Sequence, residues 1–220
     1  LAKRAIIVTI EELHIIYKQK SHDIKARLAE FEEIGRSASD ERLFEELTFC
    51  IYTAGASARM GLRSVESVRP VLMTGSMEEI QQSLKNRHRW ADGRGAYVYE
   101  TRQYLSEHCG LRMRELLESF QSAAERRDFF AANPGIRGLG YKEGSHFLRN
   151  IGYRGYAILD KHILARLAEF GVIENPKPPS TKKRYVEAEE KLKRFAQEIE
   201  IDFDELDLLL WYSKTGEILK

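Results

Sequence analysis

The stretch Ile136-Arg137-Gly138-Leu139-Gly140-Tyr141-Lys142, with its continuation to Asp160, decides how the rest of the chain is read. Gly138 and Gly140 flank a single apolar residue, and a helical pattern resumes at once through Phe147, Leu148 and Ile151. This spells a tight hairpin between two helices. Glycine is needed there because the chain turns sharply, with positive φ, and its N–H groups must approach a ligand without a Cβ in the way. Phosphate is the natural ligand of such a turn. Leu139 is expected to tuck between the two helices and pin it. Lys142 lies two residues beyond the hairpin, and Asp160 eighteen further on.

Helices are predicted on both sides. Upstream, Ser122 with Glu125 caps a helix that leads through Phe129 and Phe130 into the turn. Downstream, Asp160 stands before Ile163, Leu164, Leu167 and Phe170, so its plain role is an N-cap, and Gly171 ends that helix. Pro176, Pro178 and Pro179 make a stiff connector. A long helix follows through Tyr185, Leu192, Phe195 and Ile199, and Asp202 with Glu205 caps the last one.

The second informative stretch is Arg87-His88-Arg89-Trp90-Ala91-Asp92-Gly93-Arg94. A tryptophan in a basic, glycine-containing loop has two duties open to it. It can anchor the loop in the core, or act as a wedge that fills the gap left when a base leaves the stack. Nearer the beginning, Thr9 with Glu12 caps an amphipathic helix, and a second helical pattern (Ile24, Leu28, Phe31, Ile34) ends at Gly35. Leu43 to Ile51 reads as a core helix, broken by the small residues Ala54 to Ala58. Helices follow through Met60 to Val68, from Ser76, around Tyr97 to Leu105, and over Leu111 to Phe120. The only strand-like run is Ala5 to Val8.

Composition narrows the class. The chain has 220 residues and a net charge of +1, which argues against a nonspecific polycation but not against a local basic face. Basic residues do cluster, at Arg87 to Arg94, at Arg137, Lys142, Arg149 and Arg154, and at Lys161 with His162. Cys50 and Cys109 are far apart, so neither a zinc site nor a disulfide framework is indicated, and Cys50 reads as a buried thiol. No apolar run approaches a membrane span and the start lacks a signal-peptide pattern, so a soluble intracellular protein is expected.

The Gly-Leu-Gly-Tyr-Lys run, Leu159-Asp160-Lys161-His162 and the closing Trp211-Tyr212-Ser213-Lys214-Thr215-Gly216-Glu217-Ile218-Leu219-Lys220 together resemble the helix-hairpin-helix DNA glycosylases. The resemblance is to the compact, mainly archaeal 8-oxoguanine glycosylase/lyase branch, and covers about Leu43 to Lys220. Relatives of the endonuclease III type carry a four-cysteine iron–sulfur loop, which two cysteines cannot supply. The resemblance implies an all-α fold of two helical lobes with the active site in the cleft between them. It implies one domain over 1–220, with the helix-hairpin-helix at about 126–151 and a C-terminal helical segment at about 181–220 docked on it.

It also implies an activity: flipping 8-oxoguanine out of duplex DNA, excising it, and cleaving the abasic site by β-elimination through a lysine Schiff base. Lys142 takes the place of the nucleophile. A free lysine, with a pKa of about 10.4, offers little neutral amine at pH 7, so a desolvated pocket mouth near Arg137, Lys161 or His162 is expected to favour the reactive form. A solvent-facing first-turn lysine is the plain competitor. Asp160, besides capping, would stabilise the oxocarbenium-like transition state. By the same resemblance Arg89 reads the base left behind, Trp90 is the wedge, and His162 touches the DNA backbone. Arg137, Gly138 and Gly140 grip phosphate. Lys220 helps separate 8-oxoguanine from guanine, and the oxidised base differs physically in its N7–H donor. Trp211 either stacks on the extruded base or packs in the core.

No organic cofactor is implied, though a monovalent cation at the hairpin carbonyls suits the motif. The expected partner is duplex DNA containing 8-oxoguanine, bound by a monomer with affinity that falls with salt. Three other readings stand beside this one: a glycosylase of the same fold for another lesion, a non-catalytic helix-hairpin-helix DNA-binding module, and a helical interaction protein without DNA affinity.

Overall fold

The Thr9 and Glu12 spacing forms a reciprocal cap in the computed structural model, which describes residues 9–218. The Glu12 carboxylate accepts from Thr9 N–H at 2.8 Å, and Thr9 Oγ1 accepts from Glu12 N–H at 3.2 Å. From this cap α1 runs over Ile10–Ser37 without interruption. The two helices expected before residue 40 are therefore one. Nothing between Tyr17 and Ile24 breaks a helix, and Leu13, Ile24, Leu28 and Phe31 are all buried. Gly35 does not end α1. It lies inside the last turn, and a glycine stands there because a Cβ would be 2.1 Å from the Ile151 carbonyl oxygen, closer than any real contact.

Backbone contacts divide the chain into two compact units, residues 31–153 and residues 9–30 with 154–218. In the first of these, Ser39 caps α2 (Asp40–Thr53), whose residues Leu43 to Thr53 are all buried, as its apolar run predicts. The small residues after it cap α3 (Ala58–Val68) through Ser57, and Pro70 sits in a short 3-10 turn. A complete capping box at Ser76 and Glu79 starts α4 (Met77–Leu84). Then come α5 (Ala91–Cys109), α6 (Met113–Ser119), α7 (Ala123–Ala132) and α8 (Tyr141–Asn150). The central helix α2 packs on α3, α5, α6 and α8, while α7 lies against α8.

The other unit holds the early part of α1 together with α9 (Lys161–Glu169), α10 (Lys182–Glu198) and α11 (Phe203–Thr215). Residues 170–181, containing the three prolines, carry no helix. α11 packs on both α9 and α10, burying Leu206, Leu208, Leu209 and Leu210 completely. The predicted helix-hairpin-helix thus belongs to one unit and the C-terminal helices to the other. Among the described residues there is no strand, and no helix is long and apolar enough to cross a membrane. The strand-like run Ala5 to Val8 lies outside the described residues.

Candidate active site

α7 and α8 are joined by residues 133–140, and the turn between them departs from expectation in one place. The side chain that pins it is Ile136, 4% exposed, whereas Leu139 is only partly covered. Gly138 has φ +77°, as a hairpin glycine should. Gly140 instead has φ −132° and ψ −167°, an extended N-cap of α8 without a side-chain cap. No side chain therefore caps the first turn of α8 from this position. α5 holds the turn from outside: Thr101 Oγ1 accepts from Arg137 N–H at 2.9 Å, and the Arg94 guanidinium donates to the Gly138 carbonyl at 3.3 Å. The Arg137 side chain, half exposed, pairs with Glu100 at 3.0 Å.

Lys142 occupies the first turn of α8, with its side chain 26% exposed and Nζ 2.8 Å from Glu143 Oε1. Its ion-pair partner is therefore a carboxylate. Glu143 itself sits against the turn, its Oε2 3.6 Å from where a Gly140 Cβ would be. In the sequence Glu143 has the look of an ordinary macrodipole partner, as any glutamate in a first turn does.

The Trp90 loop resolves into separate jobs. His88 is the anchor: it is 4% exposed, with Nε2 2.9 Å from the Tyr52 carbonyl and Nδ1 accepting from Trp90 N–H at 3.1 Å. Those partners fix the Nε2–H tautomer, and burial lowers the histidine's pKa, so His88 leaves the basic cluster. Trp90 remains 43% exposed. Arg89 lies over its ring at 3.8 Å and donates to the Gly55 carbonyl at 2.6 Å. The indole also lies so close to Gly55 that a Cβ there would stand 3.1 Å from Cη2. Trp90 is accordingly not a core anchor. Asp92, Gly93 and Arg94 are not loop residues either, since α5 starts at Ala91. From that first turn Arg94 reaches both the Ala54 carbonyl, at 2.5 Å, and Gly138, tying the small-residue break to the hairpin.

In the other unit Asp160 caps α9, its Oδ1 accepting from His162 N–H at 2.8 Å and Ile163 N–H at 2.9 Å. Both bonds use one oxygen, and among the described residues Oδ2 makes none. The His162 ring meets Trp211 edge-on at 5.1 Å. Trp211 follows the buried leucines of α11 but is itself only partly buried, and its buried Nε1–H finds no hydrogen-bond partner among the described residues. Arg166 and Lys214 brace the pair of helices. Arg166 donates to Ser213 Oγ at 3.0 Å and to its carbonyl at 2.7 Å, and Glu169 accepts from Lys214 at 2.6 Å. Burial pushes the Glu169 carboxyl up, yet the bonds from Lys214 and Arg166 outweigh it and hold the group low. Lys220 lies outside the described residues. The structure thus gathers Arg89, Trp90, Arg137, Gly138, Gly140 and Lys142 in one unit, and Asp160, His162 and Trp211 in the other.

With this geometry in hand, the sequence profile of the Ogg-HhH family, described as 8-oxoguanine DNA glycosylase, matches residues 24–201. The chain belongs to this family. Its similarity to individual members of the 8-oxoguanine DNA glycosylase family extends over nearly the whole length. The 8-oxoguanine DNA glycosylase/AP lyase of Korarchaeum cryptofilum is 39% identical, across 90% of this chain and 90% of that protein. The enzyme of the same name from Methanocaldococcus jannaschii is 36% identical, across 98% and 99%. Among solved structures, the Methanocaldococcus jannaschii 8-oxoguanine glycosylase/lyase in complex with 15mer DNA containing 8-oxoguanine superposes with a TM-score of 0.87 at 34% identity, covering 96% and 99%. The 8-oxoguanine DNA glycosylase of Thermotoga maritima gives 0.86 at 32%, covering 96% and 98%.

Proposed function

We propose that this chain removes 8-oxoguanine from duplex DNA and cleaves the resulting abasic site. The observation that carries this reading is the match, over almost the full length of both chains, to a family member crystallised with DNA containing that lesion. The local geometry supplies a matching set of parts. Gly138 and Gly140 leave backbone donors for a phosphate at the mouth of α8, with Arg137 beside them and His162 at the mouth of α9. Trp90, exposed and backed by Arg89, is a flat apolar surface of the size that replaces an extruded base. Trp211, with an unsatisfied indole N–H, and Lys220 are assigned to the lesion itself.

Lys142 is assigned as nucleophile. Its proton must leave first, to water, and the pair with Glu143 must open for the amine to reach the sugar. The free amine then bonds to C1′ of the damaged nucleotide as the bond to the base breaks, and the nitrogen passes one proton to the departing base; the C1′–O4′ bond then opens, O4′ taking the nitrogen's second proton. The resulting imine makes the C2′ proton acidic, and loss of that proton expels the 3′ phosphate. Asp160 stabilises the positive charge that develops on the sugar, using the oxygen not committed to the cap. No organic cofactor enters this scheme. Neutral carbonyl oxygens of the hairpin suit a monovalent cation, although Arg94 already serves the one at Gly138, and no step depends on such an ion.

The protein is taken to act as an intracellular monomer and a single functional domain. Single-turnover assays on duplexes carrying 8-oxoguanine or an oxidised pyrimidine test the reading. Wild type should excise only the former and nick the strand. Lys142→Gln should lose both activities, while Asp160→Asn should slow excision about 10²-fold with duplex affinity nearly unchanged. Equal loss of rate and affinity in Asp160→Asn would reduce that residue to a cap. Tight duplex binding without any excision would leave a DNA-binding module.

A further inference from the structure

The segment between α8 and α9 has no regular structure, yet the backbone donors of Gly155, Ala157, Ile158, Leu159 and Asp160 all find acceptors. Gly155 N–H donates to Asp204 Oδ1 at 2.9 Å, Ala157 N–H to Glu189 Oε2 at 2.9 Å, and Ile158 N–H to Asp207 Oδ1 at 3.2 Å. Leu159 N–H reaches the Tyr185 hydroxyl at 3.3 Å, and that hydroxyl donates back to the Ala157 carbonyl at 2.7 Å. Asp160 N–H closes a three-residue turn onto the Ile158 carbonyl at 2.7 Å. All four side chains come from α10 and α11, and all are buried, with exposures of 3% for Tyr185, 3% for Glu189, 7% for Asp204 and 4% for Asp207.

Loops of this kind ordinarily run over the surface, where water meets their polar groups. Here Ala157 is fully buried and Leu159 nearly so, so each N–H needs a protein acceptor. Burying carboxylates is itself unfavourable unless they are well bonded. An N-cap alone needs none of this, since an aspartate at a helix mouth holds itself by its own two bonds. What the arrangement adds is a fixed backbone position for residue 160. The direction of Oδ2 follows from that position once Oδ1 is committed to His162 and Ile163.

We infer that Tyr185, Glu189, Asp204 and Asp207 form a clamp that positions Asp160 for chemistry. The inference rests on the reading above that Asp160 takes part in excision. It gives four side chains of α10 and α11 a positioning duty: they set the place from which the carboxylate acts. Such positioning is worth a large factor, because displacing a reacting group by about 1 Å can cost about 10²-fold in rate.

The test is a double-mutant cycle on single-turnover excision of 8-oxoguanine, with duplex dissociation constants measured alongside. Tyr185→Phe removes one oxygen and keeps the buried ring. It should slow excision about tenfold to a hundredfold with duplex affinity changed less than about twofold. On an Asp160→Asn background the same substitution should cost almost nothing, because its effect runs through that carboxylate. Asp207→Asn, measured in the same cycle, serves if Tyr185→Phe does not fold. An unchanged rate in Tyr185→Phe, or the same factor lost on both backgrounds, overturns the clamp while a slow Asp160→Asn keeps the catalytic reading intact. An Asp160→Asn as fast as wild type removes the reading and the clamp together.

Discussion

Gly138 sits at φ +77°, and a Cβ added to it would stand 2.5 Å from Tyr97 Cδ2. An L-residue in that conformation costs about 1–2 kcal/mol, and forcing the Tyr97 ring aside costs about 1–3 kcal/mol more. Gly138→Ala is therefore expected to lose about 2–5 kcal/mol in chemical denaturation, by the sum of those two effects. Gly140 is extended, and its added Cβ would meet only Glu143 Oε2 at an ordinary 3.6 Å. Gly140→Ala should fold with stability close to wild type and show its cost in duplex affinity, where the methyl group crowds a phosphate. Equal destabilisation by the two alanines would contradict the division of labour. The need for two glycines was legible in the sequence, but which of them turns and which stays open was not. Nor could sequence tell Ile136 from Leu139 as the pin, since both are apolar and adjacent to glycine in the same turn, and burial alone separates them.

Elements were most legible where a cap is spelled out. Thr9 with Glu12, Ser76 with Glu79, Ser122 with Glu125 and Asp202 each begin a helix as their spacing predicts, because a side-chain acceptor three residues before a free N–H is local chemistry. Elements were least legible where tertiary contact decides. α1 continues past the point where a glycine invites a stop, and the clamp residues Glu189 and Asp207 read as solvated charges until α10 and α11 are folded beside residues 155–159. His88 belongs to the same group, since its basic neighbours hide an anchoring role. Its folded pKa is lowered by burial, with Arg94 and Arg89 adding to the effect, whereas the unfolded chain keeps a value of about 6.5. As pH falls below about 6.5 the unfolded state takes up a proton that the folded state refuses, so this contribution to stability is present above that pH and lost below it. Melting temperatures from pH 8 down to pH 5 should fall faster for wild type than for His88→Gln, which retains a donor for the Tyr52 carbonyl. Parallel curves would contradict a neutral buried His88.

At the scale of the molecule, a net charge of +1 conceals a strongly local distribution of basic groups. The fold class followed from helical periodicity and from the three motifs in order, and the relatives extend that agreement along nearly the whole chain. The site was readable to the extent that its chemistry is carried by short motifs. Glu143, Arg94 and the clamp escaped because their partners are distant in sequence or look like routine surface charge.

The central claim is that Lys142 forms a covalent intermediate with a damaged nucleotide, and borohydride trapping followed by peptide mapping tests it most directly. A duplex with one 8-oxoguanine should yield a reduced adduct on the lesion strand, located at Lys142, with none from undamaged duplex and none from Lys142→Gln. An adduct mapped to another residue, or excision that proceeds in Lys142→Gln, would contradict the account.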